Sequence, residues 1–162
     1  MTLSIIIVNY NVYDLLKNCI QSIYSIIKDV DYEIIVVDNN SPERDIENIQ
    51  LDFPLVKYIE LNENLGFAKA NNIAFHNSTG QYLLFLNPDT LVLDNFVYEF
   101  IKLLEKENNI SACAPMLVYQ DHSFQSSTGP QMDLFYELLE SFNLTGIYRN
   151  YKKKKYLKNR SS

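Results

Sequence analysis

An Asn-Pro-Asp turn, Asn87-Pro88-Asp89, follows the apolar run 82–86. A carboxylate there, with an amide two residues earlier, offers hard oxygen ligands of the kind that hold Mg²⁺ or Mn²⁺. Such an ion can neutralise a diphosphate. Three more polar clusters follow apolar runs in the same way. Asn9-Tyr10-Asn11 comes after 4–8 and offers a flat ring to a base, flanked by two amides. Asp38-Asn39-Asn40-Ser41 comes after 34–37, and Asp38 could accept a hydrogen bond from the imide N–H of uracil or thymine. Asn62-Glu63-Asn64-Leu65-Gly66-Phe67 comes after 56–61. Gly66 permits close backbone approach or a positive φ. A helix beginning there would aim its amides at a phosphate, within reach of Lys69 and Asn72. Each residue also has a plainer reading. Asn, Asp, Pro and Gly are turn formers, Asp38 can open an Asx turn, and Lys69 suits a solvated helix face.

What decides between these readings is whether one edge of a sheet collects all four clusters. Residues 4–9 and 33–38 carry unbroken β-branched runs, Ile5-Ile6-Ile7-Val8 and Ile34-Ile35-Val36-Val37, which read as buried strands. Residues 56–61 and 82–86 read as further strands. Leu15, Leu16, Cys19, Ile20, Ile23, Tyr24 and Ile27 recur at helical spacing, with Asp14 near the favourable N-terminus. Ser41-Pro42-Glu43 reads as a helix start, with Ser41 as N-cap. A helix is expected over 66–77 and another after Asp94, with short strands over 110–115 and 117–119. Strands alternating with helices predict an α/β fold with a mostly parallel sheet, covered by helices on both faces. Parallel strands point the same way, so the four clusters fall along one edge, where ligands bind in open α/β sheets.

The chain of 162 residues suits one domain with a sizeable core. Its 14 basic and 20 acidic residues are unevenly placed. Seven of the basic ones lie in the last 14 residues, which hold no acid, so residues 1–148 carry a formal charge of −13. That argues against a nucleic-acid partner and means that an anionic ligand would need a cation or helix N-termini. The basic tail, with Tyr148, Tyr151 and Tyr156, is a solvated charge run or a peripheral membrane contact. Met1-Thr2-Leu3-Ser4 has no basic lead-in, and no apolar run approaches the roughly 20 residues of a membrane span. A cytoplasmic protein is expected, peripheral at the inner membrane face if the tail binds there. Cys19 and Cys113 read as buried free thiols, and His76 and His122 as surface residues without a metal partner. There is no G-x-G-x-x-G after the first strand and no Walker-type G-K-S/T.

Together, residues 4–11, 34–41, 64–72 and Leu86-Asn87-Pro88-Asp89-Thr90 resemble the family 2 glycosyltransferases, in their rhamnosyltransferase-like branch. All four blocks occur in the family's order and spacing. The resemblance implies a GT-A, Rossmann-like fold, a nucleotide-diphosphate sugar donor and Mg²⁺ or Mn²⁺. It implies that Asn9, Tyr10, Asn11 and Asp38 hold the base and ribose. Asn64, Gly66 and Asn72 would line the nucleotide and diphosphate. Asn87-Pro88-Asp89 stands where the family has D-x-D, with Asp89 as the main metal ligand and Asn87 beside it.

The resemblance also marks a departure. Family members continue into an acceptor-facing half whose acidic motif supplies the general base. This chain is therefore expected to be the N-terminal donor-binding part, truncated before that half. Residues 1–133 form the nucleotide-sugar domain, and 134–162 a helical, basic, linker-like segment. No catalytic residue is assigned. Asp121 and Asp133 lie in the right part of the chain without a supporting motif. The implied function is sugar transfer, with inversion, from dTDP-rhamnose or a UDP-sugar to a glycan or lipid-linked acceptor in cell-surface polysaccharide synthesis. The alternative is a non-catalytic nucleotide-sugar-binding or scaffolding module.

Overall fold

The computed structural model describes residues 2–43, 46–107 and 109–125. β1 (Leu3–Asn9), β2 (Tyr32–Asp38), β3 (Lys57–Glu60) and β4 (Tyr82–Leu86) form one parallel sheet in the order β3-β2-β1-β4. α1 (Tyr13–Ile26), α2 (Ile46–Asp52), α3 (Phe67–His76) and α4 (Phe96–Lys106) alternate with the strands. The chain winds outwards through β2 and β3, then crosses back to lay β4 on the far side of β1. That reversal leaves a crevice beyond the ends of β1 and β4.

β1 is buried along its whole length because it is central and covered on both faces. Its alternate side chains split between two cores. Leu3, Ile5 and Ile7 join Ile34 and Val36 beneath Leu16, Cys19, Ile20 and Ile23 of α1, with Ile49 of α2 and Val97 of α4. Ile6 and Val8 join Ile35 and Val37 beneath Ala70 and Ala74 of α3. The small alanines let α3 lie close over β1 and β2. Asn9 and Asp38 continue the two-residue alternation of the α1 face, so both side chains end the strands on that side.

The far end of the sheet is tied by Glu33. Its Oε1 accepts from Ser4 Oγ at 2.6 Å and from Thr79 N and Oγ1 at 2.6 and 2.8 Å. Gly80 N donates to Ser4 Oγ at 2.8 Å. A Cβ on Gly80 would lie 2.4 Å from Ser4 N, so this turn requires glycine.

Several expectations are corrected. Ser41 does not cap a helix: α2 begins at Ile46, and the Ser41 hydroxyl instead binds Asp38. α4 starts after Asn95, not at Asp94, and without a side-chain cap. Residues 110–115 form no strand among the described residues. The strand expected over 117–119 is present at Leu117–Val118, but its antiparallel partner Phe124–Gln125 is not among the expected strands. Cys19 is buried, but Cys113 is exposed. β4 is covered less than expected, because it is an edge strand and Phe85 is 52% exposed.

The chain divides into two compact units, Met1–Cys113 and Ala114–Ser162. The expected boundary at 133/134, Asp133 and the basic tail lie outside the described residues. Among the described residues no helix is long and apolar enough to cross a membrane.

Candidate functional site

Three chain reversals meet where the strands end. Asn9 is opposite Asp38, and Ile7 is opposite Leu86, so the exits from β1, β2 and β4 stand side by side. Asp38, 4% exposed, is the centre of the first group. Its Oδ2 accepts from Tyr13 Oη at 2.7 Å, Ser41 Oγ at 2.7 Å and Asn9 Nδ2 at 2.8 Å. Its Oδ1 accepts from Ser41 N at 2.8 Å. Burial pushes the Asp38 carboxyl pKa up, but the bonds from Ser41, Tyr13 and Asn9 outweigh it, so the group sits below the ordinary carboxylate range. Asp38 is therefore a fixed anion at neutral pH, an acceptor with no proton to give.

Asn9 is fully buried, and its amide is already engaged. Nδ2 binds Asp38, and Oδ1 accepts from Val12 N at 3.4 Å. It shapes the site from beneath rather than reaching into it. Tyr10 is 50% exposed and free to offer its ring. Asn11 takes a positive φ of 57°, a conformation Asn tolerates better than most residues, and its N–H donates to Ser41 Oγ at 2.8 Å. Asn40 also has a positive φ, 63°. The loops after β1 and β2 are thus one hydrogen-bonded body.

The second group joins β2 to α3. Asn39 Nδ2 donates to Asn64 Oδ1 at 2.9 Å, and Leu65 N donates to Asn39 Oδ1 at 2.9 Å. Asn64 Oδ1 also accepts from Gly66 N at 3.0 Å. Gly66 occupies the N-cap position of α3 at φ 78°, ψ 163°. A Cβ there would meet nothing within 4 Å, so the need for glycine is conformational. No side chain caps α3. Asn72 is exposed and lies across the helix from Ala70 and Ala74, so the structure does not gather it with the other site residues; Asn71 is the amide on the packed side, donating to Phe67 O at 2.9 Å. Lys69 is likewise exposed on the outer face.

The third group is the turn after β4. Thr90 N and Oγ1 both donate to Asn87 O, at 3.2 and 2.6 Å. Cys19 Sγ on α1 approaches the same carbonyl at 3.7 Å, and Val92 N donates to Ser22 Oγ at 3.0 Å. The backbone of the turn is thereby pinned to α1, while the Asn87 and Asp89 side chains stay exposed. Burial, opposed by Thr90 and reinforced by the Asp89 charge, raises the Cys19 thiol to about 11, so it is an inert packing group. One groove runs along α1 from Leu15 to Ser25 and touches Asp89 and Thr90, and another lies at its first turn against Asn11, Tyr13, Asp14 and Glu43. These carboxylates make a diphosphate unwelcome without a cation.

Among the described residues no three His, Cys, Asp or Glu side chains cluster to hold a metal by themselves. One carboxylate and one amide on a pinned turn fit an ion whose remaining ligands are phosphate oxygens and water, the usual habit of Mg²⁺. Asp121 is exposed, and bonds from the Ser123 side chain and backbone hold its carboxyl below the ordinary range. A general base wants a pKa near the operating pH, so Asp121 reads as a turn residue. Sequence reasoning missed Tyr13 and Asn39 as parts of the cluster. Each stands beside a predicted site residue, but a hydrogen bond across 25 positions has no local signature.

Glycosyl transferase family 2 matches residues 4–161, and the chain belongs to that family. It is 35% identical over 116 residues to the uncharacterized glycosyltransferase YfnE of Bacillus subtilis, covering 70% of this chain and 29% of the relative. It is 29% identical over 145 residues to the teichoic acid poly(glycerol phosphate) polymerase of Staphylococcus epidermidis, covering 87% of this chain and 19% of that one. Among solved structures, S. aureus TarS 1-349 in complex with UDP superposes with a TM-score of 0.58 at 20% identity, covering 67% of this chain and 33% of the other. The same protein in complex with UDP-GlcNAc matches equally well, at 0.58. The fold is thus the GT-A glycosyltransferase fold, and the chain spans only a fifth to a third of the length of these proteins.

Proposed function

We propose that the chain is the donor-binding part of an inverting glycosyltransferase of the rhamnosyltransferase-like branch. It takes a sugar from dTDP-rhamnose or a UDP-sugar for transfer to a glycan or lipid-linked acceptor in cell-surface polysaccharide synthesis. The observation that carries this is the convergence of a fixed anion, Asp38, a pinned metal-type turn at Asn87 and Asp89, and an uncapped helix start at Gly66 on one sheet edge. The family membership, the polymerase relative and the UDP and UDP-GlcNAc complexes of TarS support it.

In this reading Tyr10 stacks on the base, and Asp38 accepts its imide proton through the remaining lone pair of Oδ1. Asn11 lines the ribose. The backbone at Asn64–Gly66 and the start of α3 approach the diphosphate, with Asn72 contributing only if the donor extends over the outer face of α3. Asp89, with Asn87, would hold Mg²⁺ or Mn²⁺, which when bound offsets the charge of the leaving diphosphate. Nucleotide-sugar use supports a cytoplasmic location, and the basic tail is a candidate contact for the inner membrane face. Flotation with anionic liposomes, lost on neutralising the tail lysines, tests the last point.

The central test is calorimetric titration of UDP and dTDP with and without Mg²⁺. We expect metal-dependent binding, weakened about tenfold or more by Asp89→Ala, in keeping with loss of one charged ligand. Equal binding with and without metal by both proteins would sink the metal assignment. The exposure of Phe85 on β4, an edge strand among the described residues, favours a second reading, a scaffolding module that binds donor without transferring sugar. Concentration-dependent self-association with no sugar transfer would select it.

A further inference from the structure

We infer that Tyr13 is a positioning residue for nucleotide recognition: its hydroxyl holds Asp38 in the orientation and charge state in which it receives the base. The inference rests on the donor-binding reading above. Tyr13 is the first residue of α1, and Oη donates to Asp38 Oδ2 at 2.7 Å. Three donors on Oδ2 leave that oxygen no capacity for a ligand. Oδ1 carries one, from Ser41 N, and is the oxygen left to accept from an imide N–H. The Tyr13 bond is thus one of three that turn Oδ2 away from the ligand. Without it, Oδ2 keeps only the Asn9 and Ser41 donors, and the carboxylate is held less firmly about its terminal torsion, which is broad for Asp.

The three donors are not equivalent. Asn9 is fully buried, and Ser41 sits in the loop that follows Asp38 in sequence. Both belong to the strand ends that build the sheet edge. Tyr13 alone comes from a helix, and its ring packs against the core at the start of α1. A change there alters Asp38 while leaving the strand register in place. The groups around Asp38 are Asn9 from β1, Tyr13 from α1, Ser41 from the following loop, and Glu60, placed beside it in the β3 register. Among the described residues these neighbours include no cation, and the bonds to the carboxylate come from neutral donors, so removing one matters.

The test compares the native 162-residue chain, Tyr13→Phe and Asp38→Asn. Whichever of UDP and dTDP the native chain binds more tightly is titrated from pH 2 to pH 8, so that the acid limb below the ordinary carboxylate range is covered. The Asp38 carboxyl is followed separately by carbon NMR without nucleotide. We expect Tyr13→Phe to bind about threefold more weakly at pH 7, the scale of one hydrogen bond. The acid limb of its binding profile and the Asp38 titration should both move to higher pH. A purely structural role for Tyr13 would lower thermal stability but leave both midpoints in place, and that result overturns the inference. Weakened binding in Asp38→Asn with unmoved midpoints in Tyr13→Phe defeats the role of Tyr13 while sparing the donor-binding reading. Undiminished binding in Asp38→Asn defeats the roles of Asp38 and Tyr13 together, and absence of UDP and dTDP binding by the native chain defeats the donor-binding reading itself. If Tyr13→Phe folds poorly, Tyr13→Met, which keeps apolar bulk without a hydroxyl, serves the same comparison.

Discussion

β2 carries a carboxylate near each end, and the two have the same chemistry put to different ends. Glu33 accepts from Ser4 and Thr79, and Asp38 from Asn9, Tyr13 and Ser41. In each case burial raises the carboxyl and hydrogen bonds bring it below the ordinary range, helped at Glu33 by the Lys57 charge. Glu33 lies where the strands begin, and its partners are Ser4 of β1 and Thr79 in a turn that Gly80 must close. Asp38 lies where the strands end, among loops with positive φ and exposed neighbours. A hydrogen-bonded anion is thus no mark of function. Its place along a parallel strand is, because only the strand ends open onto the crevice.

The sharpest way to break this comparison is Asp38→Ala. Four donors would lose their acceptor, three of them side chains that water reaches poorly, at a cost of about 3 kcal/mol in stability. Nucleotide affinity of the folded fraction should fall about a hundredfold, combining the lost imide acceptor with disorder of the 9–13 loop. Chemical denaturation and calorimetry report the two effects separately. Retained affinity would show that the two ends of β2 do not differ in the way described.

Gly80→Ala probes the opposite end. The added Cβ would press on Ser4 N and on the Leu3 carbonyl carbon, both backbone atoms that cannot swing away. A loss of about 2–3 kcal/mol is expected, typical of a backbone clash in a buried setting. Nucleotide affinity of the folded fraction should stay within about twofold of native, because no site residue touches this turn. A large affinity loss there would mean that the sheet transmits strain from one edge to the other.

How much of this was legible in the sequence follows from the range of each interaction. The β-branched runs of β1 and β2 and the α1 periodicity are local, and the structure shows elements there within a residue or two of the reading. The Asn-Pro-Asp turn and Gly66 were visible because a turn and a positive φ are set by neighbouring residues. Ser41 was misread because Ser-Pro-Glu is a good helix start in isolation, and the pull of Asp38 on the Ser41 hydroxyl overrides it. Asn9 was read as an outward amide, but strand alternation turns it into the α1-side core. The resemblance names Asn72, which is exposed, whereas Asn71 is the amide on the packed side of α3, a distinction set by helix phase. Tyr13 and Asn39 depend on contacts 25 residues away, which no local pattern encodes.

Acid sharpens the comparison at both ends together. Each carboxyl lies below its ordinary value in the folded state, so its contribution to stability is complete above the unfolded pKa of about 4 and is lost as pH falls through the folded value. Stability should therefore drop steeply below about pH 4. Glu33→Gln, which keeps an acceptor but no charge, should cost about 1 kcal/mol at pH 7 and flatten that drop. Denaturation midpoints measured from pH 3 to pH 7 check both expectations. An undiminished acid slope in the variant would assign the effect to other carboxylates.

The smallest expected effect concerns the join between the base side and the phosphate side. Asn39 is 4% exposed, so Asn39→Ala leaves Leu65 N without its acceptor and Asn64 Oδ1 without one of its donors. About 1 kcal/mol of stability should go. The informative readout is the ratio of UDP to UMP affinity, since base and ribose are common to both ligands. If Asn39 sets the approach of Asn64 and Gly66 to the second phosphate, the ratio should fall about threefold while UMP binding holds. Asn39→Asp keeps the acceptor for Leu65 N but cannot donate to Asn64, so it should restore part of the ratio. Parallel losses for UMP and UDP would instead place Asn39 with Glu33, as a residue that holds the fold and leaves recognition to the loops around Asp38.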